Sequence, residues 1–540
     1  MSSWPRSSDE PSRRTFIGAL TATLCTALPI GVPPGPDELR PPADTVVRPE
    51  QFGAGSGSVP DDAAIQTALD ACAQRGGGGV QLTQRIYLLR RPLHARSKVH
   101  LRGLGSGTVL QMSVDRSAFD VSGVTDFTLS DCRIRGDRQL QRATDTNGIT
   151  ATGGGVAGLR IVRVAVESFP GAGILVLAAD TRRSAGIRIS DCRIRDVGGH
   201  GILFQDFVDD VRVERCDVAE FGRVTPDRCG ITVGRDGTDC FVTDCLVDGA
   251  GAVGASPHGI SLDTLLRGGA RGNTVLNAVG FGIEIGFCRE VVVAGNVIHG
   301  GARAGIALSG RGDLVNADCV VAANTIAAPG AQGVYAFLYS PTAARHERIV
   351  IVGNTIRAPA TQSGIELNYV TDGVVAGNLV VGAAKSGIWA DHCDGMSYTG
   401  NVLRSNNAQA DEAHGGLRLS QRSESGTAAR VNGNLVTGSG VRDLFYTLDG
   451  ALSSQRFIDG DSKPCVALDD AFSTQNTRSI RIVDFVDGRE GQMVTVLFGD
   501  TFTSIGHTDR IRNKSSRDLV GAPQTTVTYR RIAGVWYQLG

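Results

Sequence analysis

Residues 282–308 run GIEIGFCREVVVAGNVIHGGARAGIAL, a pattern that begins again before it ends. Gly282-Ile283 opens the stretch, and Gly305-Ile306 reopens it 23 residues later. Between them lie the run Val291-Val292-Val293 and Asn296, which has Ile298 two positions on. Working outward, Gly followed by an aliphatic recurs at Gly148, Gly173, Gly201, Gly230, Gly259, Gly333, Gly364, Gly387 and Gly416. A second anchor keeps pace with it. It is Cys at 132, 192, 216 and 245, then Asn at 273, 296, 324, 354, 378, 401 and 434, each followed two residues later by an aliphatic. The segments between alternate with period two and carry no helical periodicity.

Repeats of 23–31 residues built from strands and turns specify a β-solenoid, because one coil cannot bury its own apolar face and must stack on the next. About 11–12 coils at ~4.8 Å each make a rod of roughly 55 Å. Glycine at fixed points is expected to supply positive-φ corners, and stacked Asn side chains to satisfy buried backbone groups. Composition agrees: 71 glycines without a strict three-residue period exclude collagen, and 41% hydrophobic residues exclude a disordered chain. The 54 basic and 55 acidic residues leave a net charge of −1, which is no footprint for nucleic acid.

The ends of the 540-residue chain read differently. Ser12-Arg13-Arg14-Thr15-Phe16-Ile17 before the short apolar run to Ile30 reads as a twin-arginine export signal. That run is too short for a stable membrane span. Without a small-x-small cleavage site, retention as an anchor is the alternative. Signal and Pro-rich linker occupy residues 1–45, which predicts a periplasmic or extracellular protein. The solenoid is expected over 46–440, a connecting segment over 441–479 and a small C-terminal β-module over 480–540. Asp61 or Asp62 is expected to N-cap a helix whose Ile65, Ala68, Leu69 and Cys72 plug the open end of the coils. The twelve cysteines show no zinc spacing and read as small buried hydrophobes, with a Cys229–Cys240 bridge the one pairing worth considering.

Phe52-Gly53-Ala54 through Asp61-Asp62-Ala63-Ala64-Ile65-Gln66, Gly76-Gly77-Gly78-Gly79-Val80 and Leu101-Arg102-Gly103 together resemble the start of the pectate-lyase-like superfamily. More narrowly, the chain is similar to the group of family 28 glycoside hydrolases and phage tailspikes, over roughly residues 46–440. The resemblance implies a right-handed parallel β-helix acting on a polysaccharide. Family 28 motifs carry over poorly. Gly199-His200-Gly201 matches one of them and Asp145-Thr146-Asn147 loosely another, while the Asp-Asp pair and Arg-Ile-Lys are missing. Ser256-Pro257-His258 has Ser where alginate epimerases carry Asp.

The chemistry is therefore sought on the outer wall, where the residues one and three past each anchor aliphatic point outward. Two carboxylate pairs emerge on neighbouring coils, Asp263 with Glu284 and Glu366 with Asp391. One coil step and a two-residue offset put each pair on the order of 8 Å apart, inside the ~6.5–9.5 Å range of an acid and base that invert an anomeric centre. Trp389, Tyr335 and Tyr369, with His392 and Arg418, are candidate sugar-binding residues beside Glu366 and Asp391, and they rank that pair first. His258 precedes the other pair. The expected activity is hydrolytic cleavage of a polysaccharide without a cofactor. Two alternatives are a lyase acting on a uronate polymer, with a base such as His258, His392 or Lys385 and with calcium, and a non-catalytic carbohydrate-binding or surface protein. The expected assembly is a monomer or homotrimer.

Overall fold

The computed structural model describes residues 46–540, apart from 56–58, 138–142, 180, 342–343, 412–413, 422–429, 441–443, 449–454, 458, 465, 467–470, 487, 489 and 540. The export signal and linker expected over 1–45 lie outside the described residues. The chain divides into two units, Met1–Val46 and Val47–Gly540.

Within the second unit the repeat winds a single 39-stranded sheet whose strands pair in parallel, coil upon coil. The part that positions the site consists of β1 (Ile260–Arg271), β2 (Ile283–Gly286), β3 (Ile306–Gly310), β4 (Val334–Leu338), β5 (Ile365–Asn368) and β6 (Ile388–Asp391). Their anchor aliphatics are in register: Ile260 faces Ile283, then Ile306, Val334, Ile365 and Ile388. All are fully buried in one continuous core.

The anchor glycines work differently from expectation. Gly148, Gly173, Gly282 and Gly333 have no positive φ; a Cβ on Gly282 would lie 2.5 Å from the Gly305 carbonyl oxygen and 2.7 Å from Ile298 Cγ2. Close approach of successive coils, rather than backbone handedness, requires glycine there. The left-handed corners fall one residue before the Cys and Asn anchors, and only some are glycine. They are Asp131, Asp191, Arg215 and Asp244, then Gly272, Gly295, Ala323, Gly353, Gly377, Gly400 and Gly433. On this corner Arg163 forms a two-pronged pair with Asp131, and Arg215 another with Asp191. The local cost of positive φ on a charged residue is thus set against a coil-to-coil ion pair of modest value.

The Asn column behaves as expected. From Asn273 to Asn401 each Oδ1 accepts the backbone N–H of the anchor residue one coil earlier, at 2.9–3.0 Å. Each Nδ2 donates to a carbonyl of the preceding coil, so that a buried corner is fully satisfied. Cys216 and Cys245 occupy the same column and substitute a weaker contact, Cys216 N–H to Cys245 Sγ at 3.4 Å. The ten described cysteines, Cys229 and Cys240 among them, are buried free thiols.

Helix α1 (Asp62–Gln74) buries Ile65, Ala68, Leu69 and Cys72, as its spacing predicts. Asp61 does not cap it with its side chain. Instead its carboxylate accepts the N–H groups of Gly55 and Leu88, and Asp62 accepts that of Arg90, so both acids fasten α1 to neighbouring backbone. From Gln455 onward the strands form separate six- and three-stranded sheets around a second core. Trp536 is fully buried there and donates its indole N–H to the Phe485 carbonyl. Among the described residues no helix is long and apolar enough to cross a membrane.

Candidate active site

The register confirms the two-column wall. Ser261 faces Glu284, then Ala307, Tyr335, Glu366, Trp389 and Arg418 along one column. Asp263 faces Gly286, which faces Ser309 and then Phe337; Asn368 faces Asp391. Glu284 and Glu366 stand three coil steps apart, about 14 Å.

Around Glu284 the side chains converge. Its Oε2 accepts a hydrogen bond from Ser261 Oγ at 3.1 Å and lies 3.2 Å from His258 Nε2, and its Oε1 accepts from Ser309 Oγ at 2.9 Å. Two hydroxyls thus donate to the carboxyl group, and the imidazole stands beside it. His258 is buried, and its Nδ1 accepts the Phe281 backbone N–H at 2.9 Å. The neutral ring therefore carries its proton on Nε2, the nitrogen that lies 3.2 Å from Glu284 Oε2. Burial, which disfavours the imidazolium, pushes the His258 pKa down. His258 thus stands beside Glu284 with its Nδ1 engaged by the backbone and its Nε2 turned to the carboxylate.

Asp263 sits diagonally from Glu284 and is largely enclosed. Burial, with the nearby Glu284 charge adding to it, pushes the Asp263 carboxyl up, against a hydrogen bond from Thr264 Oγ1 at 2.9 Å. A carboxyl inclined to keep its proton beside a second carboxylate held by two hydroxyls is an arrangement that acid–base cleavage can use. Gly234 and Gly286 flank Asp263 in its column. A Cβ on Gly286 would lie 3.5 Å from Asp263 Oδ1, so glycine keeps that oxygen uncrowded.

The other pair is arranged otherwise. Glu366 is only 5% exposed. Gln332 Nε2 donates to its Oε2 at 3.0 Å, and Asn368 Nδ2 lies 3.4 Å from its Oε1. Burial pushes its carboxyl up, opposed by those amides and by Lys385 and Arg418. Asp391 pairs instead with His392 Nδ1 at 3.2 Å, and His392 stacks on Tyr369. Trp389 has the Arg418 guanidinium 4.6 Å over its ring and the edge of His414 at 5.5 Å, so one face is covered. Tyr335 stacks on Phe337 at 4.4 Å, and Phe337 reaches Phe281, the ring stacked against His258. The aromatic ribbon thus runs toward Glu284. Sequence reading had the carboxylates of both groups but gave no role to Ser261, Ser309 or Phe281, which only the coil register brings to His258 and Glu284.

A test separates the pairs. Because the Glu366 pKa is raised on folding, the folded state holds that proton more tightly, and stability falls as pH rises through and above the ordinary glutamate range. Glu366→Gln is expected to leave cleavage within about twofold and to raise the melting temperature at pH 7 but not at pH 4, read by calorimetry at both pH values. His200 is the counterpart of His258 two coils earlier. Its Nδ1 likewise accepts a backbone N–H, from Cys229, and burial pushes it down to about 4. No carboxylate answers its other nitrogen among the described residues. It is a coil fastener. Nor do the described residues gather three His, Cys, Asp or Glu into a metal-binding group.

Residues 113–326 match the family model described as right handed beta helix region. The fold is a right-handed parallel β-helix. A curated protein of Klebsiella phage KN3-1, "Depolymerase 1, capsule KN3-specific", is 26% identical over 179 residues, which is 32% of this chain and 21% of that protein. The chain therefore matches about a fifth of that relative's length. Among solved structures, the A-module of the Azotobacter vinelandii mannuronan C-5 epimerase AlgE4 is 19% identical, with 75% of this chain and all of that one covered, at a TM-score of 0.48. The Dettilon tailspike protein is 16% identical, with 74% of this chain and 68% of that one covered, at a TM-score of 0.42.

Proposed function

We propose that this β-helix is a carbohydrate-active enzyme that cleaves glycosidic bonds in a polysaccharide, with Asp263 as proton donor and Glu284 as general base. The observation that carries the reading is the pairing itself: a carboxyl whose pKa burial pushes up stands one coil from a carboxylate that two hydroxyls donate to and His258 Nε2 approaches at 3.2 Å. Asp263 would protonate the leaving oxygen, while Glu284, oriented by His258, Ser261 and Ser309, would take a proton from the attacking water. The separation of about 8 Å leaves room for that water and favours inversion at the anomeric carbon. The capsule depolymerase relative supports a polysaccharide as substrate.

The wall around Asp263 is testable without touching either acid. Gly286→Val would place a branched side chain beside Asp263 Oδ1 and Ser309 Oγ, which lie 3.5 and 3.3 Å from the position of a Cβ. Gly286 has no positive φ, so the backbone accepts the change. Release of reducing ends from a capsular polysaccharide is expected to fall on the order of 100-fold as substrate is displaced from the acid, with the thermal unfolding profile retained. An unchanged rate would remove this part of the wall from the site.

A further inference from the structure

Three cations occupy one position of the coil at a regular interval. Arg228, Arg303 and Lys385 each stand three residues before an anchor aliphatic, Ile231, Ile306 and Ile388. Those aliphatics are in register through the intervening coils, so the cations recur every third coil. Backbone hydrogen bonds follow the same row, from Gly280 N–H to Pro257, Ala331 N–H to Arg303 and Lys385 N–H to Gln362. Three coil steps put their backbone positions about 14 Å apart. Pro257, Gly280 and Ala331, three of the four intervening residues, are small.

Among the described residues none of the three pairs with a carboxylate. Arginines elsewhere on the coils do, among them Arg163 with Asp131, Arg183 with Asp209, Arg267 with Asp239 and Arg348 with Asp318. Arg303 is nonetheless fixed. Its guanidinium lies 4.8 Å over the Phe281 ring, its Nη1 is 3.4 Å from Ser256 Oγ, and its charge acts on His258 and Tyr339. Lys385 acts on Glu366 and His414, and Arg228 on His200, so all three cations border the wall that carries Glu284.

We propose that Arg228, Arg303 and Lys385 form a charge ruler that binds an acidic polysaccharide along the coil axis, one sugar carboxylate at each cation. The inference rests on the polysaccharide reading above and adds the chemistry of the substrate: a polymer with one carboxylate per repeat, the Arg303 head leaning toward Ser256 so that its carboxylate sits nearer the one at Arg228 than the one at Lys385. Arg303 seats the carboxylate beside Asp263 and Glu284, while Arg228 and Lys385 fix the flanking repeats.

The test is binding to the full chain carrying Asp263→Asn, which does not consume its ligand. The probes are purified bacterial capsular polysaccharides with one uronate per repeat, and the same polymers after chemical reduction of the carboxyls to alcohols. The expected result is capture of an acidic polymer, weakened more than tenfold by carboxyl reduction and by added salt. Arg228→Gln, Arg303→Gln and Lys385→Gln should each weaken binding about threefold to fivefold, while Arg303→Lys retains most of it. Equal binding of the reduced polymers, undiminished binding by the triple Gln variant, or no capture of any acidic polymer would overturn the ruler. Reducing ends released by the unaltered protein from a neutral polysaccharide would overturn it too, yet leave the acid and base assignment standing.

Discussion

Asp263→Asn is expected to lower the rate of polysaccharide cleavage by about 10²–10⁴, the contribution of a general acid, without loss of fold. The amide is nearly isosteric, and Thr264 Oγ1 can still donate to its oxygen as it does at 2.9 Å to Asp263. What disappears is the proton. Burial and the neighbouring Glu284 make the carboxyl hold that proton to higher pH than an exposed aspartate. The activity of the unaltered protein should therefore fall on the alkaline side as Asp263 ionises, at a pH above the ordinary aspartate range. Glu284→Gln is expected to cost a similar factor, because the amide cannot accept the proton of water. Retention of full activity by either variant in a reducing-end assay contradicts the assignment.

Asn324→Ala is expected to be the most damaging single change to the coils. Asn324 Oδ1 accepts from both the backbone and side-chain N–H groups of Asn296, and its Nδ2 donates to the Val293 carbonyl and Asn354 Oδ1. Alanine orphans these groups in a fully buried corner, where each unsatisfied one costs about 1–3 kcal/mol. Local relaxation admits some partners, so the net loss should be about 3–5 kcal/mol. Because each coil contacts only its neighbours, the loss should show first as faster amide hydrogen exchange in the coils of Asn296 and Asn354. Asn324→Cys should fall between alanine and the unaltered protein, since Cys216 and Cys245 fill that column with a single weaker contact. Equal exchange in all three proteins would show that the ladder contributes nothing to stability.

The solenoid was legible because its signal repeats: the Gly-aliphatic and Cys or Asn anchors return often enough for the register of the wall to be read before any coordinates. The same regularity exposed Asp263, Glu284, Glu366 and Asp391 as outward carboxylates. Two things were not legible. Gly282 and its equivalents look like turn glycines in sequence, but only the distance to the next coil shows that they are there for close approach, while Asp and Arg take many of the left-handed corners. The partners of each pair also lay beyond reach, because they are distant in sequence. Gln332 and Asn368 cover Glu366, while His258 and Ser261 from the coil before and Ser309 from the coil after gather on Glu284. Trp389 attracted attention as a lone aromatic, yet Arg418 lies over it.

The most direct test of the central claim is the product formed when the unaltered protein meets an acidic capsular polysaccharide, followed by reducing-end assay, ultraviolet absorbance and proton NMR. The account predicts new reducing ends, no unsaturated product, and an anomeric configuration opposite to that of the bond cleaved, all lost with Asp263→Asn. An unsaturated, ultraviolet-absorbing product, or cleavage that persists in both Asp263→Asn and Glu284→Gln, would contradict it.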